Sequence, residues 1–317
     1  MRLMFIRIAA LLLALGIAGA AHAGCIASSP TVTMAQSSSY AVQDNSVPQV
    51  SGQAGFSCTG ALISLLGGGY ARATFNSLNS FQLKTAGGDA IPYKLTVDPG
   101  GTVPINQNTQ IDYMNVSLLS LLGIGNMNGF NAPIYAKLSG APNIPAGIYT
   151  DTVTVNWNYE VCNGVQIGQL CVLYETGTVT KTVTVTLEVM KDCRISAPNV
   201  SFGSVALVSQ FAPVSQGVLV NCTKNASYKI GFSNGLSGVS RPWRTMTNGS
   251  GQSLQYNLYR PDGVTIWDET NPLTSGVQGT GSTTPSQIQN YTAKINPAQT
   301  TPSAGNYSDT VSVVITF

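Results

Sequence analysis

Six cysteines and one histidine are the residues with most chemistry to offer, and their positions decide what that chemistry can be. The histidine, His22, stands in a stretch that reads as a removable leader. Arg2 and Arg7 give a positive start, residues 8–21 form a short apolar run, and Ala21-His22-Ala23 has the small residues of a cleavage site. About fourteen apolar residues are too few to span a bilayer. Residues 1–23 are therefore expected to be a signal peptide, leaving an exported chain of about 294 residues. Once His22 leaves, no Ser-His-Asp or Cys-His nucleophile and no histidine metal site can be assembled. Paired carboxylates are the remaining route to catalysis. The acids are sparse, however, and sit beside turn residues in "VDPGG" and "RPDG", where Asp builds the turn. No enzyme activity, cofactor or metal is expected.

The cysteines are left for cross-linking, because an even number in an exported protein reads as disulfides. An internal repeat chooses among the pairings. Cys25 is followed 33 residues later by Cys58, which opens "CTG"; Cys193 is followed 29 residues later by Cys222, which opens "CTK". Each pair leads on to an "AGxYxDTV" run, at Gly147 to Val153 and at Gly305 to Val311. Cys25–Cys58 and Cys193–Cys222 are expected to be equivalent bridges in two related domains, which leaves Cys162–Cys171. The domains are placed at residues 24–190 and 191–317, with almost no linker between them.

Charge excludes further classes. Lys and Arg number 15 against 13 Asp and Glu, and the two arginines of the leader account for the difference. A net charge near zero calls for neither nucleic acid nor anionic lipid. The cluster "SRPWRTM", with Arg241, Trp243 and Arg244, holds too few basic and aromatic groups for a nucleic-acid patch and reads as an ordinary loop or subunit contact. Charged residues are only 9% of the chain, which suits a protein that lives inside an assembly.

The elements that must position these residues are strands. In the last segment Tyr307, Asp309, Val311, Val313, Ile315 and Phe317 alternate with Ser308, Thr310, Ser312, Val314 and Thr316. In the earlier copy Tyr149, Val153, Val155, Trp157 and Tyr159 alternate with Thr and Asn. A period of two with a polar second face predicts half-buried antiparallel strands. The fold class expected is all-β: two tandem immunoglobulin-like sandwiches. The copies differ in one respect. After the first comes "VTKTVTVTLEVM", with Val179, Val183, Val185, Leu187 and Val189 on one face, an extra strand that closes its sandwich. The second has no such run. It is expected to be incomplete, with a groove along Val311, Val313, Ile315 and Phe317 awaiting a donor strand. Four large apolar side chains left wet would cost on the order of 6–12 kcal/mol, comparable with the stability of a domain.

The residues of 193–317, "C…VNCT…YNLYRPDG…IWDET…AGNYSDTVSVVITF", resemble the spore-coat-U-like subunits of archaic chaperone–usher pili. Residues of the first domain repeat the pattern more weakly, in "FSCTG", "YKLTVDPG" and "AGIYTDTVTVNW". The resemblance implies partners: a periplasmic chaperone, an outer-membrane usher, and the N-terminal donor strand of the adjacent pilin subunit. It also implies export through the periplasm to the cell surface. With cleavage after Ala23, only Gly24 precedes Cys25, so the chain is expected to accept a strand and donate none. In the family, that position belongs to a two-domain tip adhesin. The alternative is a bulk structural pilin or secreted coat subunit without an adhesive role.

Three insertions distinguish the first domain from the second, at the B–C, D–E and F–G connections of a sandwich lettered A to G. They carry Leu62, Ile63, Leu65 and Leu66; Leu118, Leu119, Leu121, Leu122, Ile124, Met127 and Phe130; and Val165, Ile167 and Leu170 inside a small disulfide loop. Alternate connections of an antiparallel sandwich emerge at one end, and exposed contiguous apolar surface marks an interaction site. The expectation is a hydrophobic tip that binds abiotic or other hydrophobic surfaces and promotes attachment and biofilm formation. Buried strands or a short core helix are the plainer reading of the same runs.

Overall fold

The computed structural model describes residues 25–27, 29–58, 69–115, 132–162, 166–167, 170–171 and 174–317. Its first module begins with β1 (Cys25–Ala27), β2 (Thr31–Thr33), β3 (Ser37–Ser38), a short helix α1 (Ser39–Gln43), β4 (Val50–Gln53) and β5 (Phe56–Cys58). It continues with β6 (Tyr70–Ser77), β7 (Gln82–Lys84), β8 (Ala90–Thr96), β9 (Pro104–Ile105), β10 (Gln110–Asp112) and β11 (Pro133–Leu138). A long hairpin ends it: β12 (Gly147–Cys162) and β15 (Tyr174–Met190), with β13 (Gln166–Ile167) and β14 (Leu170–Cys171) between them.

Alternation dictates how these strands stack. Along β12 the odd positions from Tyr149 to Val161 turn inward and the Thr and Asn positions outward. On one side β12 pairs with β6, and on the other with β15 from Gly147↔Val189 to Cys162↔Tyr174. The outer edge of β15 is then covered in parallel by β2 and β3. β8, β11 and β4 form the facing layer, and β7 joins the two by pairing with both β12 and β8. Between the layers Trp157 is fully buried; its indole N–H donates to the Ala54 carbonyl at 2.9 Å, and its ring lies 5.4 Å from that of Tyr113. The expected closing strand is thus present: Val183, Val185, Leu187 and Val189 are all buried.

The second module follows after two residues. Its strands are β16 (Cys193–Ser196), β17 (Val214–Cys222), β18 (Lys229–Phe232) and β19 (Arg244–Thr247), then β20 (Ser253–Tyr259), β21 (Leu273–Thr274), β22 (Gln287–Ile295) and β23 (Val313–Thr316). They form a five-stranded sheet, β16-β17-β22-β20-β19, facing a three-stranded sheet, β21-β18-β23. Trp267 fills the centre, donating to the Ile230 carbonyl at 2.7 Å with its ring edge-to-face on Phe232. The two hydrophobic cores share no residue. Disulfides join Cys162 to Cys171 and Cys193 to Cys222, and Cys25 faces Cys58 across the β1–β5 ladder.

One expectation is corrected here. "SRPWRTM" is not a surface loop throughout, because Arg244 opens β19 and is fully buried. Its guanidinium donates to the carbonyls of Ser233, Phe232 and Trp267 and to the side chain of Asn257. A planar group with five donors can satisfy several inward-pointing carbonyls at once, which offsets the cost of burying its charge. Arg241 pairs with Asp268 at 2.8 Å.

Candidate functional site

Two places were expected to act: the edge of the second module and the inserted loops of the first. The edge is best seen by laying one "AGxYxDTV" copy on the other. Both copies start alike. The Tyr149 hydroxyl donates to the carbonyl of Pro145 at 2.8 Å, and the Tyr307 hydroxyl to that of Ser303 at 2.7 Å, the corner typical of immunoglobulin-like sandwiches. Both use their aspartate in the same way. Asp151 accepts from the Tyr93 hydroxyl and the Asn79 N–H; Asp309 accepts from the Tyr256 hydroxyl and the Leu236 N–H.

Beyond these anchors the copies diverge. Tyr149, Val153, Val155 and Trp157 are buried, while Tyr307, Val311, Val313 and Ile315 stay partly exposed. Tyr159 is 5% exposed and its counterpart Phe317 is 55% exposed, with the Lys191 ammonium 5.4 Å from its ring. The cause is the ladder. β12 is paired along both edges, whereas β23 pairs with β18 on one edge and with no strand on the other among the described residues. The strand predicted across the whole last segment therefore shrinks to Val313–Thr316, and residues 305–312 keep one isolated bridge, Thr247↔Ser308.

A groove runs beside that edge. It holds two cavities of about 460 and 450 Å³, bounded on one side by residues 197–211 and on the other by residues 301–313. Phe202, Met246, Tyr256 and Val311 give it an apolar lining, and Phe202 meets both Phe211 and Tyr256 edge-on. Of the four predicted groove residues, Val311, Val313 and Ile315 pack against the second core from this lip and are partly buried, while Phe317 stays exposed.

The loop residues fare differently. Leu62, Ile63, Leu65, Leu66, Leu118, Leu119, Leu121, Leu122, Ile124, Met127, Phe130 and Val165 lie outside the described residues. Ile167 and Leu170 oppose each other in the β13–β14 ladder, beside the Cys162–Cys171 bond. The stems of all three insertions are described, and they lie together. Tyr70 pairs with Glu160, Asp112 with Arg72, Ala54 with Ala132, and Cys162 with Tyr174. That end is opposite the contacts with the second module, which involve Asp44, Asp89 and Asn143.

Sequence reasoning passed over the paired aspartates and the joint between modules. The first had a signal in the motif itself, an acid repeated at the same place in two otherwise apolar strand faces. The second had none. The joint is built by α1, capped by the Ser38 side chain, whose Tyr40 hydroxyl donates to the carbonyls of Asn221 and Ser282. Among the described residues no group of acids, cysteines or histidines could hold a metal ion.

A family model and a solved structure agree with this architecture. The model of the Spore Coat Protein U domain matches twice, over residues 11–156 and 179–314. Among solved structures, the CsuC-CsuE chaperone-tip adhesion subunit pre-assembly complex from archaic chaperone-usher Csu pili of Acinetobacter baumannii aligns with a TM-score of 0.60. The identity is 22%, over 93% of this chain and 100% of that one. The CupB6 tip adhesin from Pseudomonas aeruginosa aligns at a TM-score of 0.29 and 12% identity over 84% of this chain and 85% of that one. CfaE, the adhesive subunit of CFA/I fimbria of enterotoxigenic Escherichia coli, aligns at 0.29 and 10% over 91% of this chain and 92% of that one. No curated protein matches the sequence. With both modules covered by the same family model, the chain belongs to the Spore Coat Protein U domain family.

Proposed function

We propose that this chain is the tip adhesin subunit of a pilus assembled by an archaic chaperone–usher system. The observation that carries the reading is the outer edge of β23, which has no paired strand among the described residues and lies beside an apolar groove, in a module whose twin is closed by β15. A strand edge without a paired neighbour, over half-exposed valines, is a template for an added strand. In the assembled fibre the N-terminal strand of the adjacent subunit fills it; before that, a periplasmic chaperone does so and hands the subunit to an outer-membrane usher. A solved structure of similar fold is a chaperone-tip subunit pre-assembly complex, which supports that order of partners. The first module, already closed, is free to face outward. The leucines of the insertions, whose stems lie at the end remote from the groove, bind abiotic or hydrophobic surfaces, and the pilus thereby promotes attachment and biofilm formation.

A bulk structural pilin or coat subunit would share the open edge but would have no use for three apolar insertions whose stems are gathered at one end. The test of the strand-accepting role is a fusion. A donor peptide of alternating apolar and polar residues is joined after Phe317 through a flexible linker, and thermal unfolding is compared with the unfused chain. Filling the groove is expected to raise the midpoint of the second module by on the order of 10 °C or more. An unchanged midpoint contradicts the reading.

A further inference from the structure

We infer that Asp309 is a positioning residue that holds the groove's lip in strand-ready shape before any strand arrives. The inference rests on the strand-accepting reading above. In the first module, residues 147–155 are fixed by ladders, and the buried Asp151 adds bonds to the Ser77 and Tyr93 hydroxyls at 2.5 and 2.7 Å. In the second module, residues 305–312 have no outer ladder among the described residues, yet the side-chain anchors are kept. Asp309 takes the Leu236 N–H at 2.7 Å and the Tyr256 hydroxyl at 2.5 Å, and the next donor along, Thr310 N–H, also points at its carboxylate. Leu236 follows Gly235, which sits at φ +76° with no side chain in the way of the approaching carboxylate. Farther along, Ser233 donates its N–H to the Ser312 carbonyl and accepts the Ser312 N–H on its hydroxyl, both at 2.9 Å.

Side chains therefore do on this lip what strand pairing does in the twin. Asp309 stands at the centre, lining the cavity of about 450 Å³ together with Tyr256, Tyr307 and Val311. A lip already in place spares an incoming strand the entropy of ordering both edges at once. The advantage belongs to capture, not to the filled state, where the added strand itself holds residues 305–312. Loss of the anchor is thus expected to slow association while leaving dissociation nearly unchanged. A carboxylate that only braced the core would weaken empty and filled states alike and leave the association rate as it was.

The test uses the full exported chain and a synthetic peptide copying residues 178–190, the alternating run that closes the first module. Asp309→Ala is expected to lower the association rate by about tenfold or more and to change the dissociation rate by less than about threefold. Asp309→Asn, which keeps one acceptor oxygen, should recover part of the rate, and Tyr256→Phe should lose part of it. These two milder variants serve if the alanine variant does not fold. Association rates equal to the unaltered chain in all three variants overturn the inference while leaving strand acceptance intact. Failure of the unaltered chain to capture the peptide removes strand acceptance, and this inference with it.

Discussion

Asp98 and Asp268 show how single charged residues set the conditions under which this fold survives. Burial opposes ionisation of both, but the donors around them prevail. The backbone and hydroxyl of Thr102 and the N–H of Val103 hold Asp98 below the ordinary carboxylate range, and Arg241, Thr270 and Ser240 do the same for Asp268. A depressed folded pKa contributes stability above the unfolded value of about 3.9, which is lost as pH falls through the folded one. Tyrosines act at the other limit. Burial first, then the hydrogen-bonded Asp151 and Asp309, push the phenols of Tyr93 and Tyr256 upward, and burial raises Tyr113. Their contribution is fully present below about pH 10 and is lost as pH rises beyond it. The thermal midpoint should therefore form a plateau between about pH 5 and 9 and fall on both sides, with Asp98→Asn flattening the acid limb. A midpoint that held constant down to pH 2 would contradict this placement of the carboxylates. The turn role of Asp98 and Asp262 was readable from "VDPGG" and "RPDG", because a short acid before glycine meets its own backbone donors locally. The burial of Arg244 was not readable, since its acceptors come from Phe232, Ser233, Asn257 and Trp267, far apart in sequence.

At the scale of elements, the contrast between β12 and β23 organises the molecule. Both copies carry the same alternation, so their faces were legible from period alone. The extent of each strand was not, because a strand persists only where a neighbour completes its hydrogen bonds; residues 305–312 keep the pattern without the ladder. The β12–β15 hairpin shows the reverse. Gly177 lets the Tyr159 ring lie across the partner strand, where a side chain would collide with it, and the ladder continues to Cys162↔Tyr174. The hairpin thereby carries the disulfide-closed turn to the end where the other two insertions start. The proposed adhesive role of these insertions is tested on their leucines. Changing Leu65, Leu119 and Leu122 together to Asp should abolish attachment of piliated cells to plastic, since each leucine contributes up to about 1.5–3 kcal/mol when buried against a surface and avidity multiplies each loss. The variant should keep the thermal midpoint of the parent. Undiminished attachment would remove the hydrophobic-tip reading.

For the whole molecule, the joint between modules settles how the two ends relate. Arg194 grips Asp44 with two hydrogen bonds of 2.8 and 2.7 Å while its guanidinium lies 4.6 Å from the Tyr40 ring. The Ser39 and Thr223 hydroxyls meet at 2.7 Å in a fully buried contact, and Lys224 pairs with Asp89. These bonds, together with the two-residue connection, hold the end of the first module opposite the insertion stems against the module that carries the open edge. On the proposed function one module serves contact and the other assembly, and the second is finished from outside. Amide hydrogen exchange measures that directly. In the purified, unpartnered chain, amides of residues 305–316 should exchange much faster than those of the twin segment 147–158, and a donor strand supplied by fusion should slow them to the same range. Equal protection of the two segments before any strand is supplied would contradict the account.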